Sequence, residues 1–171
     1  MLSKKNHISE FILQKYSFVQ ISRLHVLAFN GIAQKISGCM TKIGTPRKNI
    51  ELVERDDNEY VVSSKSGFRC RFGNYESMFT KTNTCHVYDI IVLDMNDYPK
   101  NIIQLISLLY SNGYADTNTY FVSTYNKINK RIIKVMKHSN LKKVLYDLQK
   151  KNRFSVTSTS FWKLRSKKLR F

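Results

Sequence analysis

Glu51, Ser63 and Lys65 are the residues of this chain whose types and spacing could carry chemistry. Two short β-like runs, Asn49 to Arg55 and Glu59 to Ser64, are joined by the polar Asp56-Asp57-Asn58 and read as a β-hairpin. Alternate residues of a strand share a face, so Ser63 and Lys65 could meet Glu51 across that hairpin. A carboxylate and a second oxygen ligand on neighbouring strands can hold Mg²⁺ while a lysine orients or activates a water. The bland alternative is a set of solvated polar side chains on an exposed hairpin. Asp56 and Asp57 read as turn formers.

Other candidates lie outside that segment. Arg69 and Arg71 alternate with Phe68, Cys70 and Phe72, which puts both guanidinium groups on one strand face, to meet phosphates or to be solvated. Asp89 interrupts the apolar run Val87 to Leu93 and reads as a hydrogen-bonded structural acid. His7, His25, His86 and His138 have no partner spacing that would suit nucleophilic catalysis. Cys39, Cys70 and Cys85 are odd in number and widely spaced, which fits reduced thiols and neither a disulfide framework nor a zinc site.

The elements that must position these residues follow from periodicity. Helical spacing of apolar residues predicts helices over His7 to Ser22 and Leu24 to Met40. After the hairpin come strands at Phe68 to Phe72 and Val87 to Leu93, the latter apolar enough to be central and covered on both faces. A helix from Pro99 to Tyr110 stops at Asn112-Gly113. A strand at Tyr120 to Tyr125 and a short helix at Leu141 to Leu148, with Lys142 and Lys143 on its outer side, complete the series. The sum is an α/β domain with a mixed central sheet flanked by helices. It is read as one domain, 1–126 forming the core and 127–171 a basic C-terminal region.

Charge points to a partner. Lys and Arg number 29 against 12 Asp and Glu, a formal net charge of +17, whereas solubility asks for only about 2–8. Nucleic acid, DNA or RNA, is the expected partner, because cations that neutralise phosphates release counterions. From Lys127 onward Asp147 is the only acid, among cations that include Lys142, Lys143, Lys163, Arg165, Lys167 and Lys168. Phe161 and Trp162 beside them could stack on bases or anchor the tail to the core. At 42% hydrophobic residues the chain is too apolar for a disordered polycation. No apolar run approaches the roughly 18 residues of a membrane span, and no signal-peptide core follows Met1. A cytoplasmic or organellar-matrix protein, without membrane attachment, is expected.

Helix, hairpin, hydrophobic strand and helix in this order resemble the PD-(D/E)xK, or restriction-endonuclease-like, nuclease superfamily from about Leu24 to Tyr110. Asn30-Gly31-Ile32-Ala33-Gln34 looks like that family's Gly-Glu-x-Ala-Glu helix, and Tyr88-Asp89-Ile90-Ile91-Val92-Leu93-Asp94 like its aromatic-Asp-apolar strand. The resemblance implies a restriction-endonuclease-like core and Mg²⁺-dependent phosphodiester hydrolysis. Glu51 and Ser63 would then ligate the metal, Lys65 would position the water, and Gln34 would stand where the family has a helix acid. Glu51 replaces an Asp and Ser63 a Glu or Gln, so a nuclease-like fold that binds without cutting is the alternative. A non-catalytic RNA-binding protein, such as a ribosomal component, is the rival from another class.

Overall fold

Short apolar runs alternating with helices bury best as a parallel sheet covered on both faces. The computed structural model describes residues 7–29, 33–54, 65–72, 78–79, 87–94, 99–125, 141–151 and 156–164. In order these give α1 (His7–Lys15), α2 (Phe18–Ile21), β1 (Val26–Phe29), α3 (Ala33–Ile43), β2 (Ile50–Glu54), β3 (Arg69–Phe72), β4 (Ile90–Asp94), α4 (Pro99–Ser111), β5 (Tyr120–Tyr125), β6 (Leu141–Lys151) and β7 (Val156–Leu164). One 7-stranded sheet has the order β3-β2-β1-β4-β5-β7-β6. Strands β1 to β5 pair in parallel, whereas β7 is antiparallel to both β5 and β6.

The pleat sorts the strand residues into two cores. Leu27, Phe29, Val53, Ile91, Leu93 and Phe121 face one side, where Leu105, Ile106 and Leu109 of α4 cover them. Val26, Ala28, Ile50, Leu52, Ile90, Val92 and Val122 face the other, under Ile8, Phe11 and Ile12 of α1 and Met40 of α3. Each of these side chains except that of Ala28 contributes about 1.5–3 kcal/mol when removed from water. Because β1 and β2 are parallel neighbours, α3 must carry the chain back from the C-terminal to the N-terminal ends of the strands, and α4 does the same between β4 and β5. Gly44 (φ 116°) and Gly113 (φ 80°) follow these two helices in the left-handed conformation that glycine tolerates best.

The structure corrects several expectations. The His7 to Ser22 helix is interrupted by Ser17, whose hydroxyl and amide exchange hydrogen bonds with Gln20 and start a new helix, α2. Leu24 to Met40 is not one helix: Val26 to Phe29 are all buried and form β1, the middle of the sheet. The expected helix Leu141 to Leu148 is β6, and the basic tail enters the sheet as β7. The hairpin fails for a geometric reason. Strand β2 lies between β1 and β3, so both of its hydrogen-bonding edges are occupied, while residues 55–64 lie outside the described residues. The restriction-endonuclease-like core is therefore overturned. With β2 and β3 on one side of β1, and β4 and β5 on the other, the sheet is doubly wound.

Candidate functional site

In a doubly wound sheet the chain leaves adjacent strands in opposite directions at the point where the strand order reverses. The loops diverge there and leave a crevice beyond the C-terminal ends of the strands. In this sheet that point is between β1 and β4. Strand β1 ends at Phe29 and α3 starts at Ala33, so Asn30-Gly31-Ile32 is the entire connection. A glycine in so short a connection lets a ligand approach the backbone, and the amide end of the following helix favours an anionic group. Glu54 ends β2 and Asp94 ends β4, which brings two carboxylate-bearing residues to the same edge. An acid at the end of the second strand is the acceptor that such sheets offer to ribose hydroxyls. The residue types at this edge fit a nucleoside-bearing ligand.

Glu51 lies elsewhere. It is the second residue of β2, near the N-terminal edge, in register with Leu27 and Arg69. Its Oε2 accepts hydrogen bonds from Arg71 Nε at 2.7 Å and from the Tyr88 hydroxyl at 2.6 Å. Arg71 Nη1 also donates to the Met78 carbonyl, and the guanidinium lies 5.0 Å from the Phe79 ring centre and 5.6 Å from that of Tyr114. Burial works against the charge of Arg71, but its hydrogen bond to Glu51 holds its pKa above the ordinary value. Burial, reinforced by the Glu51 carboxylate, pushes the Tyr88 phenol well above its ordinary range. This is a neutralised structural cluster. Its carboxylate already carries a cation, and the described residues contain no group of acids, histidines or cysteines that could hold a metal.

The residues expected to form one catalytic centre are thus distributed. Gln34 is the second residue of α3, at the crevice end, whereas Glu51 and the exposed Lys65 are at the opposite end of the strands. Ser63 lies outside the described residues. Arg69 is exposed at the start of β3, and Arg71, expected beside it as a phosphate contact, is engaged by Glu51. Lys142 and Lys143 occupy β6 in register with Lys163 and Trp162 of β7. The Lys163 ammonium sits 4.6 Å from the Tyr120 ring centre. Arg165, Lys167 and Lys168 lie outside the described residues. Trp162 is fully buried against the α4 side of the sheet, so it anchors the tail. Asp89 Oδ2 accepts the His25 amide at 2.8 Å, the structural role its apolar surroundings suggested. Sequence reasoning missed Glu54 and Asp94 as a pair. Their signal was positional: each lies within one residue of the end of a β-type run and is followed by polar sequence.

No family model matches the chain, and no curated protein matches it in sequence. Solved structures do match in fold. The M1A22 tRNA methyltransferase of B. subtilis superimposes with a TM-score of 0.61 at 10% identity, over 86% of this chain and 65% of that one. This chain therefore spans just under two thirds of that protein. A proposed tRNA (m1A22) methyltransferase from Streptococcus pneumoniae, in complex with S-adenosyl-L-methionine (SAM), gives 0.61 at 10% identity, over 90% and 74% of the two chains. A proposed methylase from Haemophilus influenzae gives 0.58 at 16% identity, over 86% and 91%. These matches are to a fold other than the restriction-endonuclease-like one, which overturns the nuclease reading together with its Mg²⁺. Among the described residues no helix is long and apolar enough to cross a membrane. The chain has the Rossmann-like α/β fold of the SAM-dependent methyltransferases.

Proposed function

We propose that this chain is a SAM-dependent methyltransferase whose methyl acceptor is RNA. The observation that carries the reading is the reversal of strand order between β1 and β4, with a glycine in the three-residue connection after β1 and acids ending β2 and β4. When bound, SAM supplies a methyl group activated by its sulfonium. Asn30 and Gly31 would accommodate its amino-acid end near the start of α3. Glu54 would accept hydrogen bonds from the ribose hydroxyls. Asp94, which ends β4 across the reversal point, would accept a hydrogen bond or a proton from an acceptor amine. Phe29, which ends β1, and Leu93, next to the end of β4, are buried in the core at this edge of the sheet.

RNA is favoured as acceptor by the net charge of +17, which matches a polyphosphate. Two of the fold's relatives are also described as tRNA methyltransferases. The cations of the C-terminal segment, Lys142, Lys143, Lys163, Arg165, Lys167 and Lys168, are proposed as contacts to phosphates of the RNA away from the crevice, since Lys142 and Lys163 are in register with Tyr120 at the start of β5. Incubating the chain with tritium-methyl SAM and total RNA tests the reading, with Asp94→Asn as the control. Label that is acid-precipitable, released by ribonuclease and lost in the variant is the expected result. Label that resists ribonuclease but yields to protease would reassign the acceptor, and no transfer to either would overturn the reading.

A further inference from the structure

The opposite edge of the sheet, where the parallel strands begin, has its own chemistry. Arg23 lies in the turn entering β1, and Lys48 in the single 3-10 turn Arg47–Asn49 entering β2. Lys65 precedes β3 and Arg69 opens it. Hydrogen bonds tie these turns into one surface. Asn49 Nδ2 donates to the Ser22 carbonyl at 3.4 Å, and Arg47 Nη1 donates to that of Ser66 at 2.9 Å. The last turn of α3, with Lys42, and the end of α1, with Lys15, return to the same edge. Lys15, Arg23, Lys42, Arg47, Lys48, Lys65 and Arg69 are all exposed. The nearby acids already accept backbone amides, Asp89 from His25 at 2.8 Å and Asp116 from Asn118 at 2.8 Å. Five residues before Arg23 in the chain, Phe18 is 81% exposed, on a helix of 4 residues.

We propose that this edge is a second nucleic-acid surface, which grips the phosphodiester backbone of RNA at a distance from the crevice. Successive strand starts set the cations in a row with a spacing of about 4.8 Å per strand, a linear array suited to a chain of phosphates. An exposed ring at the end of such a row offers a base a stacking platform. A membrane surface would need a continuous apolar helix face, which α2 is too short to provide. Strand β1, of 4 residues, separates the two edges by roughly 13 Å. An RNA touching both edges must therefore be folded or several nucleotides long.

The inference rests on RNA as the partner but not on methyl transfer. Fluorescence anisotropy of a labelled 20-nucleotide single-stranded RNA, titrated with the full chain at several salt concentrations, tests it. The variant R23A/K48A/K65A/R69A should bind at least about 10-fold more weakly at low salt. Its slope of log affinity against log salt should be shallower by about 2–3, at about 0.7 per phosphate contact. The charge-conserving R23K/K48R/K65R/R69K should keep both values, which separates charge from folding. Phe18→Ala should weaken binding about 5-fold or more without changing the slope. An unchanged slope in the alanine variant would overturn the proposal, as would equal loss in both quadruple variants. So would an edge that loses affinity for anionic vesicles or polyglutamate while RNA binding stays intact. SAM affinity reads the crevice alone and should be the same in all these variants, so failure of one reading leaves the other measurable.

Discussion

Glu51 and Arg71, on adjacent parallel strands, form an ion pair of 2.7 Å with side chains only 15% and 28% exposed. Tyr88 completes the cluster from the loop before β4. The pair lets a polar position of β2 stay within an otherwise apolar layer, because the attraction between the partners offsets part of the desolvation penalty of each. Arg71→Ala should destabilise the chain by about 2–4 kcal/mol by leaving the carboxylate uncompensated. The double variant E51L/R71L should cost less than the sum of the single changes. Urea denaturation of the four members of the cycle checks this, and strictly additive losses would refute the coupling.

The raised pKa of Tyr88 predicts alkaline lability. The unfolded chain releases this proton near pH 10, while the native cluster holds it to higher pH. Stability is therefore full below pH 10 and declines above it, by roughly 1.4 kcal/mol per pH unit for this one group. Tyr88→Phe should be less stable than the parent at pH 8, having lost the hydrogen bond to Glu51, and should show a smaller decline by pH 11. Urea midpoints at the two pH values measure both effects.

Burial separates two aromatic residues that composition alone treats alike. Trp162 is 0% exposed and Phe18 81%. Trp162→Ala should lose about 3–5 kcal/mol and loosen β7, whereas Phe18→Ala should stay within about 0.5 kcal/mol of the parent. Thermal unfolding of both variants checks the contrast.

The elements that the sequence revealed are those whose local signal and tertiary role agree. The run that became β4 is continuous and apolar because it is covered on both faces, and α4 opens at Pro99 and stops at Asn112-Gly113. Strand β1 was hidden because Leu24, Leu27, Ala28, Ile32 and Ile36 recur at helical spacing, so its 4 residues merged with the helix that follows. Leu141, Val144, Leu145 and Leu148 have helical spacing, yet β6 is held by β7, with register shifts that accommodate the mismatch. Glu51 drew attention as an acid on a strand. Its true partners, Arg71 and Tyr88, come from separate strands and loops that only the fold assembles. Glu54 and Asp94 became meaningful only once the sheet was seen to be parallel, so that both residues end at one edge.

The crevice also makes a prediction on substitution at the β2 terminus. Glu54→Ala removes charge-assisted acceptors worth about 1.5–3 kcal/mol each. It should therefore weaken a ribose-bearing ligand about 10-fold or more and leave the urea midpoint nearly unchanged. Glu54→Asp should retain part of the affinity.

Isothermal titration of the chain with SAM is the most direct measurement. One-to-one binding, weakened about 10-fold or more by Glu54→Ala and competed by S-adenosylhomocysteine, is the expected result. An absence of binding up to about 1 mM SAM, beyond the usual range of enzyme substrate constants, would contradict the assignment of the crevice.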